Sequence, residues 1–215
     1  VCPPEEAENY AHEVPSDFTE QVGRLAKTFG VNIIGGSIFE REGDAVYNTT
    51  VVYSREGEIC GKYRKMHLFD AFGYEESKGI TGGSEPLLVV LDGLTFGTAI
   101  CYDIRFPEIF RYYALYGAQV VFLPAAFFQP NHDHWQLNIR SRALDNTLFV
   151  MSCNQTGRRF VGRSMTADPW GVAVSSMGIE EGFYTVDIDV QRIQEIRSSL
   201  PFLENRRFDV VLRGD

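Results

Sequence analysis

The sequence predicts an α/β protein in which two β-sheets lie back to back and helices cover their outer faces, an α-β-β-α sandwich. Three observations predict it. Several short runs are apolar on consecutive residues, as strands buried on both faces are. Some of these runs are joined by hairpin signals. Between others lie segments with apolar residues at helical spacing. Strands of this kind, mixed with hairpins and helices, suggest sheets covered by helices.

The elements follow in order. Asp17 to Thr28 opens on a Ser16-Asp17 cap signal and carries Phe18, Val22, Leu25 and Ala26 at helical spacing. Val31 to Ile38 reads as a strand containing two glycines, and Asn48 to Ser54 as a second strand ended by the Arg55-Glu56-Gly57 turn. Leu87 to Leu91 and Leu94 to Ile100 flank Asp92-Gly93, a strong two-residue hairpin signal. Phe106 to Tyr116 reads as a helix with Pro107 in its first turn, where a missing N–H costs nothing. Gln119 to Leu123 is an apolar strand. His134 to Asn146 is a helix with Trp135, Ile139 and Ala143 on one face. Leu148 to Ser152 is a further strand. Met165 to Thr166 and Val172 to Val174 flank the Asp168-Pro169-Trp170-Gly171 turn. Tyr184 to Ile188 reads as a last strand and Val190 to Arg197 as a short helix.

Composition narrows the function classes. At 215 residues, with no repeat, low-complexity tract or Pro/Gly/Ser-rich linker, one domain over 1–215 is the simplest organisation. A formal net charge of −9 repels phosphate backbones, which argues against nucleic acid as a partner. No apolar run is long enough to span a membrane, and no charged-then-apolar leader opens the chain. Cys2, Cys60, Cys101 and Cys153 form neither a metal-binding pair nor a disulfide framework, and read as reduced thiols in a cytoplasmic protein.

Two segments could carry chemistry. In Gly97-Thr98-Ala99-Ile100-Cys101-Tyr102-Asp103-Ile104-Arg105-Phe106-Pro107-Glu108 a buried strand runs into Cys101, and a helix starts about five residues later. A thiol at such an elbow is exposed and lies near the positive end of a helix, which lowers its pKa and favours the attacking thiolate. The plainer reading is a core cysteine, the commoner fate of a lone one. The second segment is Gly61-Lys62-Tyr63-Arg64-Lys65-Met66-His67-Leu68-Phe69-Asp70. It reads either as a solvated basic stretch or as a frame from which a desolvated lysine supports a thiolate and an oxyanion. His67 alone reads as a hydrogen-bonded structural histidine, since no second histidine stands at metal-ligand spacing.

Together the two segments resemble the nitrilase (carbon–nitrogen hydrolase) family, through Arg64-Lys65-Met66-His67-Leu68 and Cys101-Tyr102-Asp103-Ile104-Arg105-Phe106-Pro107-Glu108. Tyr74-Glu75-Glu76-Ser77, Pro124-Ala125-Ala126-Phe127, His134-Trp135, Arg140 to Asn146, Asn154 to Gly157, Ser164 to Gly171, Leu200-Pro201 and Arg206 to Asp209 follow in family order. The resemblance implies the four-layer sandwich of that family and a catalytic set of Cys101, Lys65 and Glu76. Cys101 would be the nucleophile, Lys65 and the backbone N–H of Tyr102 the oxyanion donors, and Glu76 the group orienting Lys65 or the substrate amide. It implies a thioester intermediate, release of ammonia, and no metal or organic cofactor. It also places the general-base glutamate before the segment that Cys2-Pro3-Pro4 matches. The expectation is that this chain, opening on Val1, lacks the family's first strand, first helix and base, and that Glu5 is not that base. In that case an inactive scaffold of the family's shape is the alternative to an enzyme.

The same resemblance bears on substrate. Cys-Tyr-Asp at the nucleophile and Arg-Lys-Met-His-Leu-Phe-Asp resemble the ω-amidase-like branch, which hydrolyses the terminal amide of α-keto dicarboxylic acid monoamides. Amidases for deaminated glutathione are near alternatives and N-carbamoyl hydrolases more distant ones. Phe127, Phe128 and His132 are expected on the pocket wall, and Arg158 or Arg159 could meet an acidic substrate. Asp103, Arg105 and Glu108 are expected to form a structural ion-pair set, a substrate role for Arg105 being the lesser reading. The family commonly pairs through helices next to the nucleophile, so a homodimer or higher homo-oligomer is expected. The aromatics of Phe106 to Tyr113 would serve either that interface or the core.

Overall fold

A computed structural model describes residues 2–212. A four-stranded antiparallel sheet is built around β3 (Ala45–Tyr53). The strand β4 (Ile59–Arg64) pairs along one side of it, and β1 (Ile33–Ile34) and β2 (Ile38–Glu42) share the other. The single strand expected over Val31 to Ile38 is thus broken in two. Ile34 pairs with Val52 and Ile38 with Thr49, so one strand advances four residues while its partner advances three. Gly35 and Gly36 absorb the extra residue, Gly36 at φ +71°, which a side chain would resist.

After a two-stranded ribbon of β5 (Asp70–Ala71) and β6 (Tyr74–Glu75), the second sheet begins. It contains β7 (Leu88–Leu91), β8 (Leu94–Thr98), β9 (Val120–Ala125), β10 (Phe149–Asn154), β11 (Met165–Ala167) and β12 (Ala173–Ser176), in the order β12-β11-β10-β9-β8-β7. Its centre, β8-β9-β10, is parallel; its edges are antiparallel hairpins. Asp92 and Gly93 turn the first hairpin with φ of +51° and +77°, the positive pair that matches strand twist.

Alternation sorts the strand side chains into layers. Val52 of the first sheet meets Val89, Phe96, Val120 and Phe149 of the second, and this apolar seam holds the sheets face to face. On the far side of β3, Val51 and Tyr53 pack against Ala26 of α1 (Asp17–Phe29). That helix has the expected Ser16 cap: Ser16 N–H donates to Thr19 Oγ1 at 2.8 Å. On the far side of the second sheet, Val121, Leu123 and Val150 pack against α2 (Pro107–Leu115) and α3 (His132–Asn146) through Ile109, Phe110, Tyr113, Trp135, Ile139 and Ala143. The layers are therefore α1, sheet, sheet, α2 with α3, the expected α-β-β-α order. A short α4 (Gln191–Ser199) docks Ile193 into the inter-sheet seam.

One sequence expectation needs correction here, and two strands were not foreseen. Tyr184 to Ile188 forms no ladder; instead the Tyr184 hydroxyl contacts Thr166 Oγ1 at 3.0 Å and Ser152 O at 3.3 Å, so side-chain bonds replace strand pairing. And β2 and β4, which carry many charges, do not read as strands in isolation. Their charges are mutually satisfied: Glu40, 1% exposed, accepts from Arg64 Nε at 2.9 Å, Arg64 Nη2 at 2.8 Å, Lys62 Nζ at 2.5 Å and Thr49 Oγ1 at 2.7 Å.

Burial pushes the Glu40 carboxyl up, but the hydrogen bonds and charges of Arg64 and Lys62 prevail and hold it near 2. A carboxyl depressed in the folded state adds stability that is complete above its unfolded value and fades as pH falls toward the folded one. Acid unfolding should therefore show a Glu40-dependent loss between about pH 4.5 and about pH 2. Glu40→Gln should lower stability at pH 7 by about 2 kcal/mol and flatten that acid limb. Urea melts of both proteins at several pH values measure this, and an unchanged acid limb would refute it.

Candidate active site

The carboxyl ends of parallel strands are where open α/β sheets place ligands, and here they meet the end of β4. Lys65 directly follows β4, Cys101 follows β8, and Ala126 to Phe128 follow β9. Asp103, fully buried, ties these ends together. Its Oδ2 accepts from Tyr63 Oη at 2.8 Å and from Ile100 N at 2.8 Å. Its Oδ1 accepts from His67 N at 3.0 Å and contacts His67 Nδ1 at 2.7 Å. Tyr63 and His67 bracket Lys65, while Ile100 precedes Cys101, so one carboxylate registers the lysine segment against the cysteine elbow. His67 also stacks on Phe106, 3.7 Å between ring centroids.

Cys101 sits at φ +49°, in the left-handed region that non-glycine residues seldom occupy. The strand behind it needs Gly97: a Cβ there would fall 2.7 Å from the Tyr113 ring of α2, so only glycine lets the helix lie this close. The Cys101 thiol lies in a cavity of about 70 Å³ whose lining includes Lys65, Glu76, Tyr102, Arg105 and Phe127. Ala126, also on that lining, aims its backbone N–H at the Cys101 sulfur.

Lys65 and Glu76 form a buried pair, Nζ to Oε2 2.5 Å, with side chains 3% and 7% exposed. Glu76 is itself held: Oε2 accepts from Phe69 N at 2.7 Å and Oε1 from Asn48 Nδ2 at 3.2 Å. Burial alone would push the Lys65 ammonium down. The thiolate form of Cys101, the charge and hydrogen bond of Glu76, and the charge of Asp103 each oppose this and leave the ammonium above its usual value, so it stays protonated. For Cys101 the balance is opposite to the sequence expectation of an acidified thiol. Burial pushes it above its usual value; Lys65 and the Ala126 N–H oppose this, Glu76 and Asp103 reinforce it, and the net shift is upward. Only a five-residue 3-10 turn, Cys101–Arg105, starts at the elbow, and α2 begins six residues on.

The structure brings Cys101, Lys65, Glu76, Tyr102, Phe127 and Phe128 to one cavity. His132 is not on its lining: its side chain is 43% exposed and contacts its neighbour Asp133, and Asn131 takes the wall position. The expected ion-pair set also differs. Asp103 serves as the hydrogen-bond hub, Arg105 makes no salt bridge or side-chain hydrogen bond with it or with Glu108 among the described residues, and Arg105 instead lines the cavity. Its guanidinium lies 5.3 Å from the Phe127 ring centroid and 3.2 Å from His134 Nδ1. Glu5 lies in a neighbouring cleft with Pro4 and Lys78, away from Cys101. Sequence reasoning missed Asn48, Phe69, Ala126 and Asn131. Asn48 and Ala126 act through an amide and a backbone N–H, which leave no residue signature.

A family profile described as carbon-nitrogen hydrolase matches residues 2–198. The chain belongs to that family. It is 40% identical over 191 residues to a 2-oxoglutaramate amidase of Bacillus subtilis (strain 168), covering 87% of this chain and 73% of that protein. It is 34% identical over 212 residues to the omega-amidase NIT2 of Homo sapiens, covering 94% of this chain and 77% of that one. The crystal structure of Saccharomyces cerevisiae Nit3, a member of branch 10 of the nitrilase superfamily, superposes with TM-score 0.86 at 30% identity, covering 95% of this chain and 78% of that one. These relatives make the chain a carbon–nitrogen hydrolase of the amidase kind, on the nitrilase fold. Among the described residues no helix is long and apolar enough to cross a membrane.

A thiol raised by burial should alkylate slowly at neutral pH and faster as pH rises toward and beyond 9. Lys65→Met should slow Cys101 alkylation further at every pH, since it removes the charge that favours the thiolate. Iodoacetamide kinetics with peptide mapping reads both. A rate that levels off below pH 8 would show that the lysine field outweighs desolvation.

Proposed function

We propose that this chain hydrolyses the terminal amide of a small α-keto dicarboxylic acid monoamide through a thioester on Cys101. The observation that carries the reading is the Lys65–Glu76 pair, buried and charge-complete, on the same cavity as the elbow thiol. The Cys101 sulfur attacks the amide carbon and a C–S bond forms. The carbonyl oxygen becomes an oxyanion, stabilised by the Lys65 ammonium and the Tyr102 N–H. The C–N bond breaks and the nitrogen, taking up the proton that the thiol gave up on attack, leaves as ammonia. Water then adds to the thioester, the acid departs and the thiol is restored. Glu76, with its oxygens occupied by Lys65, Phe69 and Asn48, serves orientation rather than proton transfer. Phe127 and Phe128 form the apolar wall, and His132 takes no part.

The names of the relatives support the ω-amide substrate: a 2-oxoglutaramate amidase and omega-amidases stand at 33–40% identity. Glu76 is the sole carboxylate on the Cys101 cavity among the described residues, and its engagement fits the orienting role.

Association as a homodimer is also part of this proposal. Of the aromatics on and after α2, Phe110 and Tyr113 are core, while Tyr116 is 61% exposed and stacks with half-buried Tyr112 at 4.3 Å, which leaves an apolar strip for a second copy.

Ammonia release from a panel of amides, nitriles and N-carbamoyl amino acids tests the main reading. 2-Oxoglutaramate should be the best substrate; a preference for nitriles or carbamoyl compounds, or no release from any, would overturn the assignment. Lys65→Ala should lower kcat by about 10²–10³ with the fold retained by circular dichroism. Near-wild-type turnover in that variant would remove Lys65 from the catalytic set.

A further inference from the structure

The cavity in front of Cys101 is small. Its volume of about 70 Å³ is far below the ~300–1,000 Å³ of pockets that enclose whole ligands. It takes an amide group and little of the chain behind it. A second cavity of about 530 Å³ adjoins it, sharing Phe69, Tyr74, Phe128 and Asn131 with it and adding Phe72 and Arg159. A third cleft, around Cys2 and Lys78, shares Tyr74 and Arg159 with that outer cavity. Tyr74 alone borders all three.

The Tyr74 ring is well fixed. Its centroid lies 6.0 Å from that of Phe69 and 5.9 Å from that of Phe128, and its strand β6 runs directly into Glu76, which is bonded back to Phe69 N. Its hydroxyl is not similarly committed. Among the described residues its hydrogen bond is one to Cys2 O, at a marginal 3.5 Å. A half-buried phenol whose single donor is only weakly engaged therefore stands where the inner and outer cavities meet. Beyond it, the Arg159 guanidinium is held 5.8 Å from the Phe128 ring centroid. Arg159 forms no ion pair among the described residues.

We propose that Tyr74 is a specificity-determining residue of this amidase: its hydroxyl donates a hydrogen bond to the distal carboxylate of the substrate at the junction of the inner and outer cavities, with Arg159 as the cation on the outer side. The substrate class is then an amide that carries an anionic group a few carbons away, reaching from Cys101 toward the outer cavity along the cluster of Phe69, Tyr74 and Phe128 rings, whose centroids lie 5.9–6.2 Å apart. The proposal rests on the amidase reading above and adds the group that selects acidic over neutral amides. Burial first, and then the nearby Glu76, Cys2, Cys101 and Glu5, push the phenol up to about 12, so it keeps its proton at any working pH.

Protection of Cys101 from iodoacetamide reads binding whether or not turnover occurs. The probes are 2-oxoglutarate, a dianionic product, and butyramide, a neutral amide. Wild type should be protected by both. In Tyr74→Phe, which keeps the ring, the half-protecting concentration of 2-oxoglutarate relative to that of butyramide should rise about 10- to 100-fold, the loss of one hydrogen bond to a charged group. An equal shift for both probes would make Tyr74 a structural wall residue and overturn the proposal, as would no shift. Failure of both probes to protect wild type would overturn the Cys101 amidase reading itself and the Tyr74 role with it.

Discussion

A single buried carboxylate sets the register on which the site depends. The two sheets meet through an apolar seam, and apolar contacts are non-directional. Val52 against Val89 and Phe96 fixes that the sheets touch, not how the end of β4 stands relative to the end of β8. Asp103 supplies the missing direction. It receives donors from Tyr63 and His67 on one segment and Ile100 on the other, all at 2.7–3.0 Å. Leaving any of these donors unpaired at zero exposure would be costly, so the lysine and the cysteine are held in one relation. Tyr63 is bound into this arrangement as a donor, since burial, and then the charge of Asp103, push its phenol far up.

The electrostatic design follows from dryness. Lys65 and Glu76 are both nearly inaccessible, and a lone charge so placed would be expensive. As a pair they persist, and the ammonium keeps its proton while still reaching the Cys101 cavity. Such a fixed cation would not reorganise as charge develops on a nearby oxygen, and that is the role proposed for it.

Much of this was legible in the sequence, and the parts that were not share a cause. The layers followed from apolar runs such as Val120-Val121-Phe122-Leu123 and from the Trp135, Ile139, Ala143 face, because burial leaves a compositional trace. Cys101 and Lys65 stood in ordered motifs. The break at Gly35-Gly36 was visible as two glycines but not as a bulge, because register belongs to the partner strand. The charged strands β2 and β4 were invisible because Glu40 and Arg64 satisfy one another only once the sheet exists. Asp103 was read as one member of an ion-pair set when its partners are a tyrosine, a histidine and a backbone amide, none of them close in sequence except Ile100. His132 was placed on the wall from its position beside Phe127 and Phe128, yet the start of α3 turns it outward and leaves Asn131 in its place.

The direction of the Cys101 shift has a consequence beyond catalysis. Thiolates, not thiols, are the species that peroxides oxidise, and a nucleophile kept as a permanent thiolate is exposed to sulfinic and sulfonic damage between turnovers. Burial shifts the Cys101 thiol upward, toward its protonated form, in a cavity of about 70 Å³. A thiol biased toward its protonated form is a slower target for peroxide than a free thiolate would be at the same place.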